Sequence, residues 1–308
     1  MDTQHINTHV SHYIDHCRFQ KGLSPQTLKA YQIDLNQYVA FVSDSDNGCT
    51  KEHLQAYIAY LHSKYKIKSV KRKIATLKAF FNYLEFEELI DTNPFRKIQL
   101  RLHEPFLLPR TVSLSSIDSI LQCAYHQKSL FKNKLYRYRS PLRDIAVLEL
   151  LFATGMRVSE LCSLQPSSVD LANGIVKIYG KGAKERIIQI GNTAVLAALS
   201  SYCHAFTEEI TKSGWFFTNR LGAQLSDQSV RLMIQKYTTL AGIDQHITPH
   251  MFRHSFATLL LEEDVDIRYI QQLLGHSSIT TTQIYTHVTS KKQRDILTAK
   301  HPRNKICI

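Results

Sequence analysis

Apolar residues recur at helical spacing along most of this chain, and one short stretch breaks that period clearly. The period is plainest in the first 95 residues, where the apolar stripes are rich in aromatic side chains. Two of these stripes consist of Leu28, Tyr31, Leu35, Tyr38 and Val39, and of Ile74, Leu77, Phe81 and Leu84. Ser24-Pro25, Thr50 and Ser69 are placed to begin helices. The sequence therefore predicts a small all-helical unit over residues 1–95 whose aromatic residues form its core.

The exception to helical spacing lies in the second half of the chain. Two β-branched runs, residues 175–179 and 186–190, flank a turn that contains Gly180 and Gly182. This pattern predicts a β-hairpin. The rest of residues 111–308 keeps the helical period, and Ser113 is placed to cap its first helix. The predicted fold class is mainly α with a small antiparallel β-sheet in the second of two domains.

A basic linker is predicted between the two domains. Pro94 ends the helical pattern of the first domain, because the residue before a proline avoids helix. Residues 96–110 carry several arginines and lysines but few helix or strand signals. They are interpreted as an extended connection.

Composition indicates a globular protein with a polyanionic partner. Hydrophobic residues make up 44% of the 308 and charged residues 21%, and the net charge is +12. A basic excess of this size favours nucleic acid over a membrane surface. No apolar run approaches the roughly 20 residues of a membrane span, and no signal peptide is evident. The six cysteines form no CxxC pair, so a reduced cytoplasmic protein is expected.

One helical segment carries a phosphate-binding pattern. His250 and Arg253 are three residues apart after Pro249, so they share a helix face. A fixed guanidinium matches the oxygens of a phosphate, and an imidazole adds a donor or a proton carrier. His250 and His254 also have metal-ligand spacing, but no Glu separates them as in a metalloprotease helix, and no metal site is expected.

Five more residues become candidates for the same site beside this pair. Arg157 follows Gly155 in a turn between two apolar helices, and Glu160 is placed to support it. Lys181 lies between glycines in the predicted hairpin turn, and His276 follows the helix-ending Gly275. Tyr285 follows on a further predicted helix. Taken singly, each is more often an ordinary core, turn or surface residue.

Together these residues contain the parts of a phosphoryl-transfer site. A tyrosine hydroxyl can attack a phosphodiester, and two arginines can neutralise the negative charge that develops on the non-bridging oxygens without a metal. A lysine can protonate the departing hydroxyl. The covalent link conserves the energy of the broken ester, so rejoining needs neither ATP nor a metal.

The chain resembles the tyrosine recombinases, most closely those of the Xer type. ATGMRVSEL, YGKGAKER, TPHMFRHSFAT and LLGHSSITTTQIYTHV are similar to that family's signature segments and stand in the family's order. The N-terminal segments GLSPQTLKAYQIDL and SVKRKIATLKAFFNYL resemble its core-binding, SAM-like domain. The likeness covers nearly the whole chain.

The resemblance implies a role for each residue of the set. Tyr285 corresponds to the nucleophile of a 3′-phosphotyrosyl intermediate, Arg157 and Arg253 to the phosphate clamps, and Lys181 to the general acid. His250 and His276 take the remaining proton-handling and phosphate-contacting positions. No cofactor is implied. The partners would be double-stranded DNA recombination sites, bound by a homo-tetramer or a hetero-tetramer with a related recombinase that passes through a Holliday junction.

Two further features bear on DNA and assembly. Residues 126–143 look longer than the family's usual connection and hold six basic but no acidic residues, which suggests an added phosphate contact. The segment after Tyr285 resembles the tail that docks on a neighbouring protomer. The residues predicted to contact DNA are Lys71, Arg72, Lys73, Lys132, Lys134, Arg137, Arg139, Lys184 and Arg186.

Several alternatives remain open from the sequence. A type IB topoisomerase-like enzyme would share the chemistry, and a sequence-specific DNA-binding regulator would need no Tyr285. Within recombination, mobile-element integration or excision and dimer resolution fit equally. In addition, Asp264 stands where the family often has glycine, and a left-handed helix end is expected there.

Overall fold

The computed structural model divides the chain into two compact units, Met1–Phe106 and Leu107–Ile308. It describes residues 3–42, 50–100, 102, 110–130, 135–180 and 185–275, with only the backbone described at 3–5 and 135–138. The helices of the first unit are α1 Thr3–Phe19, α2 Pro25–Val42, α3 Lys51–Lys64 and α4 Ile67–Phe86. The described helices of the second unit are α5 Leu114–Leu130, α6 Leu135–Thr154, α7 Val158–Cys162, α8 Thr193–Ala205, α9 Thr207–Ser213, α10 Asp227–Leu240, α11 Pro249–Glu262 and α12 Ile267–Leu274. Across these ranges no helix is long and apolar enough to cross a membrane.

The first unit is the predicted helical domain with an aromatic core. α2 begins at Pro25, and the Thr50 hydroxyl accepts a hydrogen bond from the His53 backbone N–H at the start of α3. Tyr38, Tyr57 and Phe81 are completely buried. The predicted caps of α2 and α3 and the predicted stripes of α2 and α4 are therefore confirmed. α4 begins two residues before the predicted Ser69, without a side-chain cap.

The first unit extends past the predicted start of the linker. Asn93 accepts a hydrogen bond from the backbone of Phe95, and Pro94–Lys97 form a 3-10 turn. Ile98 and Leu100 then pack against the core of this unit. Their apolar side chains explain why the chain stays on the helices at residues for which the sequence favours an extended linker.

Lys73 is a correction to the predicted DNA contacts. This residue is 3% exposed, and its Nζ donates to Oδ1 of the fully buried Asp34 at 2.8 Å and to Gln37. Burial of the Asp34 carboxylate requires such cationic partners. Lys73 therefore stabilises the packing of α4 on α2, and its burial is at odds with the predicted DNA contact.

The second unit surrounds α6 with helices and carries the small sheet at one side. Its strands are β1 Val169–Asp170, β2 Ile175–Tyr179 and β3 Glu185–Gln189, in the antiparallel order β1-β2-β3. The predicted strand pair is confirmed, and β1 is an addition that two residues could not signal. Val176 and Ile188 lie opposite each other on the buried face.

The basic segment 126–143 is largely helical where it is described. α5 continues to Leu130, and α6 begins at Leu135 with Pro141 inside it. The Arg139 guanidinium donates to the Ala205 carbonyl at 2.7 Å and to Glu209 at 2.6 Å. Arg139 thus ties α6 to the α8–α9 corner; its side chain is 35% exposed, and its phosphate contact stays a prediction. Lys132, Lys134 and the Arg137 side chain lie outside the described residues.

Candidate active site

α11 fixes Arg253 in the interior of the second unit. Pro249 occupies the first turn of the helix, and buried Met251 and Phe252 hold it against the core. Arg253 is 4% exposed; its Nη1 donates to the Gly155 carbonyl at 2.7 Å and its Nη2 to the Leu274 carbonyl at 2.6 Å. One guanidinium therefore joins α11 to the turn after α6 and to the end of α12.

The turn after α6 requires glycine at position 155. Gly155 has φ +57°, and a Cβ there would lie 2.5 Å from Cδ1 of Phe256. The left-handed turn ends α6 and starts α7 three residues later, with Arg157 at the N-cap. Gly155 supplies the carbonyl that Arg253 binds, so both predicted phosphate-clamp arginines are anchored at this turn.

Glu160 holds Arg157 as predicted from the sequence. Its carboxylate accepts from the Arg157 backbone N–H at 2.8 Å and from Arg157 Nη1 at 2.8 Å. Burial alone would raise the pKa of Glu160, but hydrogen bonds from Arg186 and Arg157 outweigh it and leave the pKa below its usual value. The carboxylate is therefore ionised at neutral pH.

Arg186 joins this network, although it was predicted to reach the DNA backbone. Its Nη1 and Nη2 donate to the two Glu160 oxygens at 3.0 and 2.7 Å, and its Nε donates to the Leu273 carbonyl at 2.8 Å. The side chain is only 10% exposed. The predicted phosphate contact is corrected, because these donors are engaged inside the protein. The sequence does carry a signal for this inward position. Arg186 stands opposite Ile178, on the buried side of a strand whose side chains alternate.

His250 lies one helical turn before Arg253 and is exposed on α11. Desolvation by surrounding protein lowers its pKa, as do the nearby charges of Arg253, Arg231 and Arg157. The imidazole is therefore neutral at neutral pH and can accept or pass on a proton. His254, on the next turn, is desolvated further, and its pKa falls to about 4.

Two family models match this chain. The Phage integrase family model covers residues 127–292, and the Phage integrase N-terminal SAM-like domain covers residues 10–88. A tyrosine recombinase of Agathobacter rectalis is 54% identical over 97% of this chain and 97% of its own length. The chain belongs to the tyrosine recombinases. It is an enzyme of site-specific DNA recombination, which breaks and rejoins strands by the tyrosine mechanism.

Xer proteins are among the relatives of this recombinase. XerC of Thermodesulfovibrio yellowstonii is 34% identical over 96% of this chain and 97% of the relative. XerD of Halalkalibacterium halodurans is 35% identical over 97% of this chain and 99% of the relative. The Xer-type resemblance of the sequence is confirmed.

Solved structures share the fold of this recombinase. XerH bound to a palindromic difH substrate superposes with a TM-score of 0.74 at 20% identity, covering 94% of this chain and 84% of that one. A lambda integrase tetramer bound to a Holliday junction gives a TM-score of 0.68 at 20% identity, covering 91% and 76%. These likenesses establish the two-domain recombinase architecture.

The described part of the site contains four of the seven predicted catalytic and supporting residues. Arg157, Glu160, His250 and Arg253 come together around the α6–α7 turn and α11. Lys181, His276 and Tyr285 lie outside the described residues, as does the predicted DNA contact Lys184. In the first unit Arg72 is half exposed and bonded to Asp34, and Lys71 is partly buried on the same helix. Their DNA contacts stay predictions.

Proposed function

We propose that this recombinase cleaves each strand with Tyr285, using Arg157 and Arg253 to hold the scissile phosphate. The phenol oxygen attacks phosphorus as it loses its proton, a P–O(Tyr) bond forms, and the bond to the 5′ oxygen breaks. Lys181 donates a proton to that leaving 5′ oxygen. The 5′ hydroxyl of the partner strand then attacks phosphorus in the 3′-phosphotyrosyl ester. A new bond to the 5′ oxygen forms, the P–O(Tyr) bond breaks, and the tyrosine regains its proton.

The observation that carries this proposal is the hydrogen bond from buried Arg253 to the Gly155 carbonyl. It anchors one arginine beside the turn that holds the other, although the two are 96 residues apart in sequence. Charge that develops on non-bridging oxygens is stabilised best by donors that are already fixed. Glu160 fixes Arg157 in the same way, which supports the two-arginine clamp.

His250 and His276 complete the proposed set. A neutral His250 beside two arginines is suited to accept the phenol proton or to donate to a phosphate oxygen. His276 follows Gly275, at which α12 ends with φ +65°. We assign it to the phosphate on the basis of the family resemblance.

We further propose that the enzyme acts as a tetramer on two DNA duplexes and exchanges strands through a Holliday junction. The fold shared with the lambda integrase tetramer supports this assembly. Either four copies or copies of this chain with a related recombinase would serve. The biological outcome is integration or excision of a mobile element, or resolution of DNA dimers.

A covalent adduct is the direct test of the chemistry. Genomic DNA that flanks the gene supplies candidate sites for footprinting, and a nicked suicide substrate then traps the cleaved state. In EDTA and without nucleotide, the wild-type protein is expected to form a protein–DNA adduct through the 3′ phosphate, which gel electrophoresis under denaturing conditions detects. Tyr285→Phe removes the nucleophile and should abolish the adduct.

The matched control is Tyr269→Phe, since Tyr269 is an exposed tyrosine on α12. It should form the adduct at the wild-type rate. Absence of any wild-type adduct, or an adduct that persists with Tyr285→Phe, contradicts the proposal. Relaxation of a plasmid that lacks the site would instead favour the topoisomerase-like alternative.

A further inference from the structure

Arg186 occupies a core-facing position on β3, where an aliphatic residue would continue the pattern of the strand. It pairs across the sheet with buried Ile178, on the same face as Val176 and Ile188. An arginine in such a position is expensive unless its charge and donors are satisfied. Here the Glu160 carboxylate and the Leu273 carbonyl satisfy them.

The guanidinium of Arg186 connects three elements that are close in sequence to proposed catalytic residues. Arg186 follows Lys181 by five positions in the sequence, and Glu160 on α7 binds Arg157. Leu273, at the end of α12, precedes His276 by three positions. We propose that Arg186 is a positioning residue for strand cleavage, acting on the phosphate through Glu160 and Arg157; this inference rests on the function proposed above.

Glu160 accepts hydrogen bonds from two arginines, and this sharing explains how Arg186 controls the orientation of Arg157. Arg186 binds both carboxylate oxygens, while Arg157 uses its Nη1 on Oε1 alone. Without Arg186, each Glu160 oxygen would lose one donor, and Oε2 would keep only the Arg157 backbone N–H. A bidentate pair between Glu160 and the Arg157 guanidinium could then form, which would turn that guanidinium toward the protein. Arg186 thereby keeps Arg157 oriented for a phosphate.

The packing around Arg186 leaves little freedom for a swing toward DNA. A Cβ at Gly275 would lie 3.0 Å from Arg186 Nη1 and 3.2 Å from its Cδ. Gly275 therefore has two reasons to be glycine: its left-handed φ of +65° and the arginine stacked against it. The fit between these residues fixes the end of α12 on the sheet.

Three variants separate positioning from DNA contact. Arg186→Met removes the guanidinium but keeps the length of the side chain, and Arg186→Lys keeps the charge but cannot span Glu160 and Leu273 together. Lys177→Met is the control, because it removes one positive charge from an exposed position on β2 of the same sheet. Measurements are the salt dependence of DNA binding and the rate of adduct formation on the suicide substrate.

Arg186→Met is expected to bind DNA with the wild-type salt slope but to cleave at least about ten-fold more slowly, since misplacement of a catalytic group by about 1 Å can cost 10²-fold. Arg186→Lys should not restore the rate, and Lys177→Met should cleave at the wild-type rate. A scissile methylphosphonate lacks the negative charge that Arg157 would neutralise. The defect of Arg186→Met should therefore shrink on that substrate, which a general loss of structure would not produce.

Three results would overturn the inference. One is a salt slope lowered by about 0.9, the signature of one lost phosphate contact. Another is a cleavage rate for Arg186→Met equal to that of the Lys177→Met control. If Arg186→Met fails to fold, Arg186→Lys decides the question, and wild-type cleavage by it would refute positioning. Failure of the proposed function would be seen separately, because the wild-type protein would then form no adduct that depends on Tyr285.

Discussion

Asp34 and Glu160, two of the buried carboxylates among the described residues, each hold a pair of cationic side chains. Each is bonded to two cationic residues: Arg72 and Lys73 on Asp34, and Arg157 and Arg186 on Glu160. In each pair one cation is buried and the other reaches the surface. The buried member satisfies the carboxylate, and the carboxylate in turn orients the exposed member.

Loss of the buried cation at the first site should cost stability. Lys73→Met leaves Asp34 buried beside Arg72 and Thr76 without its ammonium partner, and we expect the first unit to lose about 3 kcal/mol of its free energy of unfolding. Urea titration of the full-length protein followed by circular dichroism measures this loss. The fluorescence of Trp215, the single tryptophan, reports on the second unit and should be unchanged.

Lys68→Met is the control, because Lys68 is exposed on the same helix. It should leave the transition within about 0.5 kcal/mol of wild type. The opposite outcome is a Lys73→Met protein with wild-type stability and weaker salt dependence of DNA binding. That outcome would show that Lys73 contacts DNA.

At the scale of elements, the α6–α7 turn determines whether the arginine clamp forms. Gly155→Ala would force an L-residue into a left-handed conformation and place its Cβ against the Phe256 ring. The strain and the clash together should cost about 3 kcal/mol or more. The turn would also shift the carbonyl that accepts from Arg253, so adduct formation should slow as well. Urea titration followed by Trp215 fluorescence measures the first effect, and suicide-substrate cleavage the second.

Gly214→Ala is the control that measures backbone strain alone, without a clash and without a shifted carbonyl near the clamp. Gly214 has φ +73° at the end of α9, and a Cβ there would meet nothing within 4 Å. The substitution should cost only about 1 kcal/mol and leave cleavage unchanged. Equal effects at the two glycines would mean that the contacts around Gly155 do not matter to the clamp.

Elements with strong local signals were predicted correctly from the sequence. Ser113 caps α5, Thr50 caps α3, Gly275 ends α12, and Asp264 has the expected positive φ of 64°. Each of these features depends on one side chain and its immediate neighbours. The predicted helix preceding Gly155 is likewise present, as the second half of α6.

Elements that depend on tertiary contacts were not predicted. The sequence presents residues 126–143 as a long basic connection, yet most of its described residues are helical, and Arg139 contacts the α8–α9 corner there. α4 begins at Ile67 without a side-chain cap, so its start carried no local signal. β1 is two residues long and exists only by pairing with β2.

On the scale of the whole molecule, the sequence predicts the described site residues and the support of Arg157 by Glu160, but not the contacts that hold Arg253 and Arg186. Signature segments named Arg157, Glu160, His250 and Arg253, which the fold brings together from α7 and α11. The contacts of the other basic residues could not be predicted from composition, because composition is the same whether a lysine or arginine contacts DNA or a buried carboxylate. Lys73, Arg139 and Arg186 are predicted from composition to contact DNA, and the structure shows that each is bonded to a carboxylate within its own unit.

The pH dependence of stability reports on the packing of α11 in the second unit. His254 is half-buried, and desolvation, with His250 and Arg253 nearby, lowers its pKa from 6.5 to about 4. Between these two values the unfolded chain binds a proton that the folded protein does not. The free energy of unfolding should therefore fall by about 2 kcal/mol as pH drops from about 6.5 toward 4, once the solvent exposure of His254 is allowed for. Below pH 4 the contribution of His254 should no longer change.

His254→Gln removes this titration and should flatten the curve in that window, as measured by urea titration with Trp215 fluorescence at several pH values. The same substitution at His246, an exposed histidine of the same unit, should leave the slope unchanged. A wild-type slope that survives in His254→Gln would show that other groups carry the pH dependence. Such a result would leave the clamp intact but would mean that the imidazole of His254 is as well solvated when folded as when unfolded.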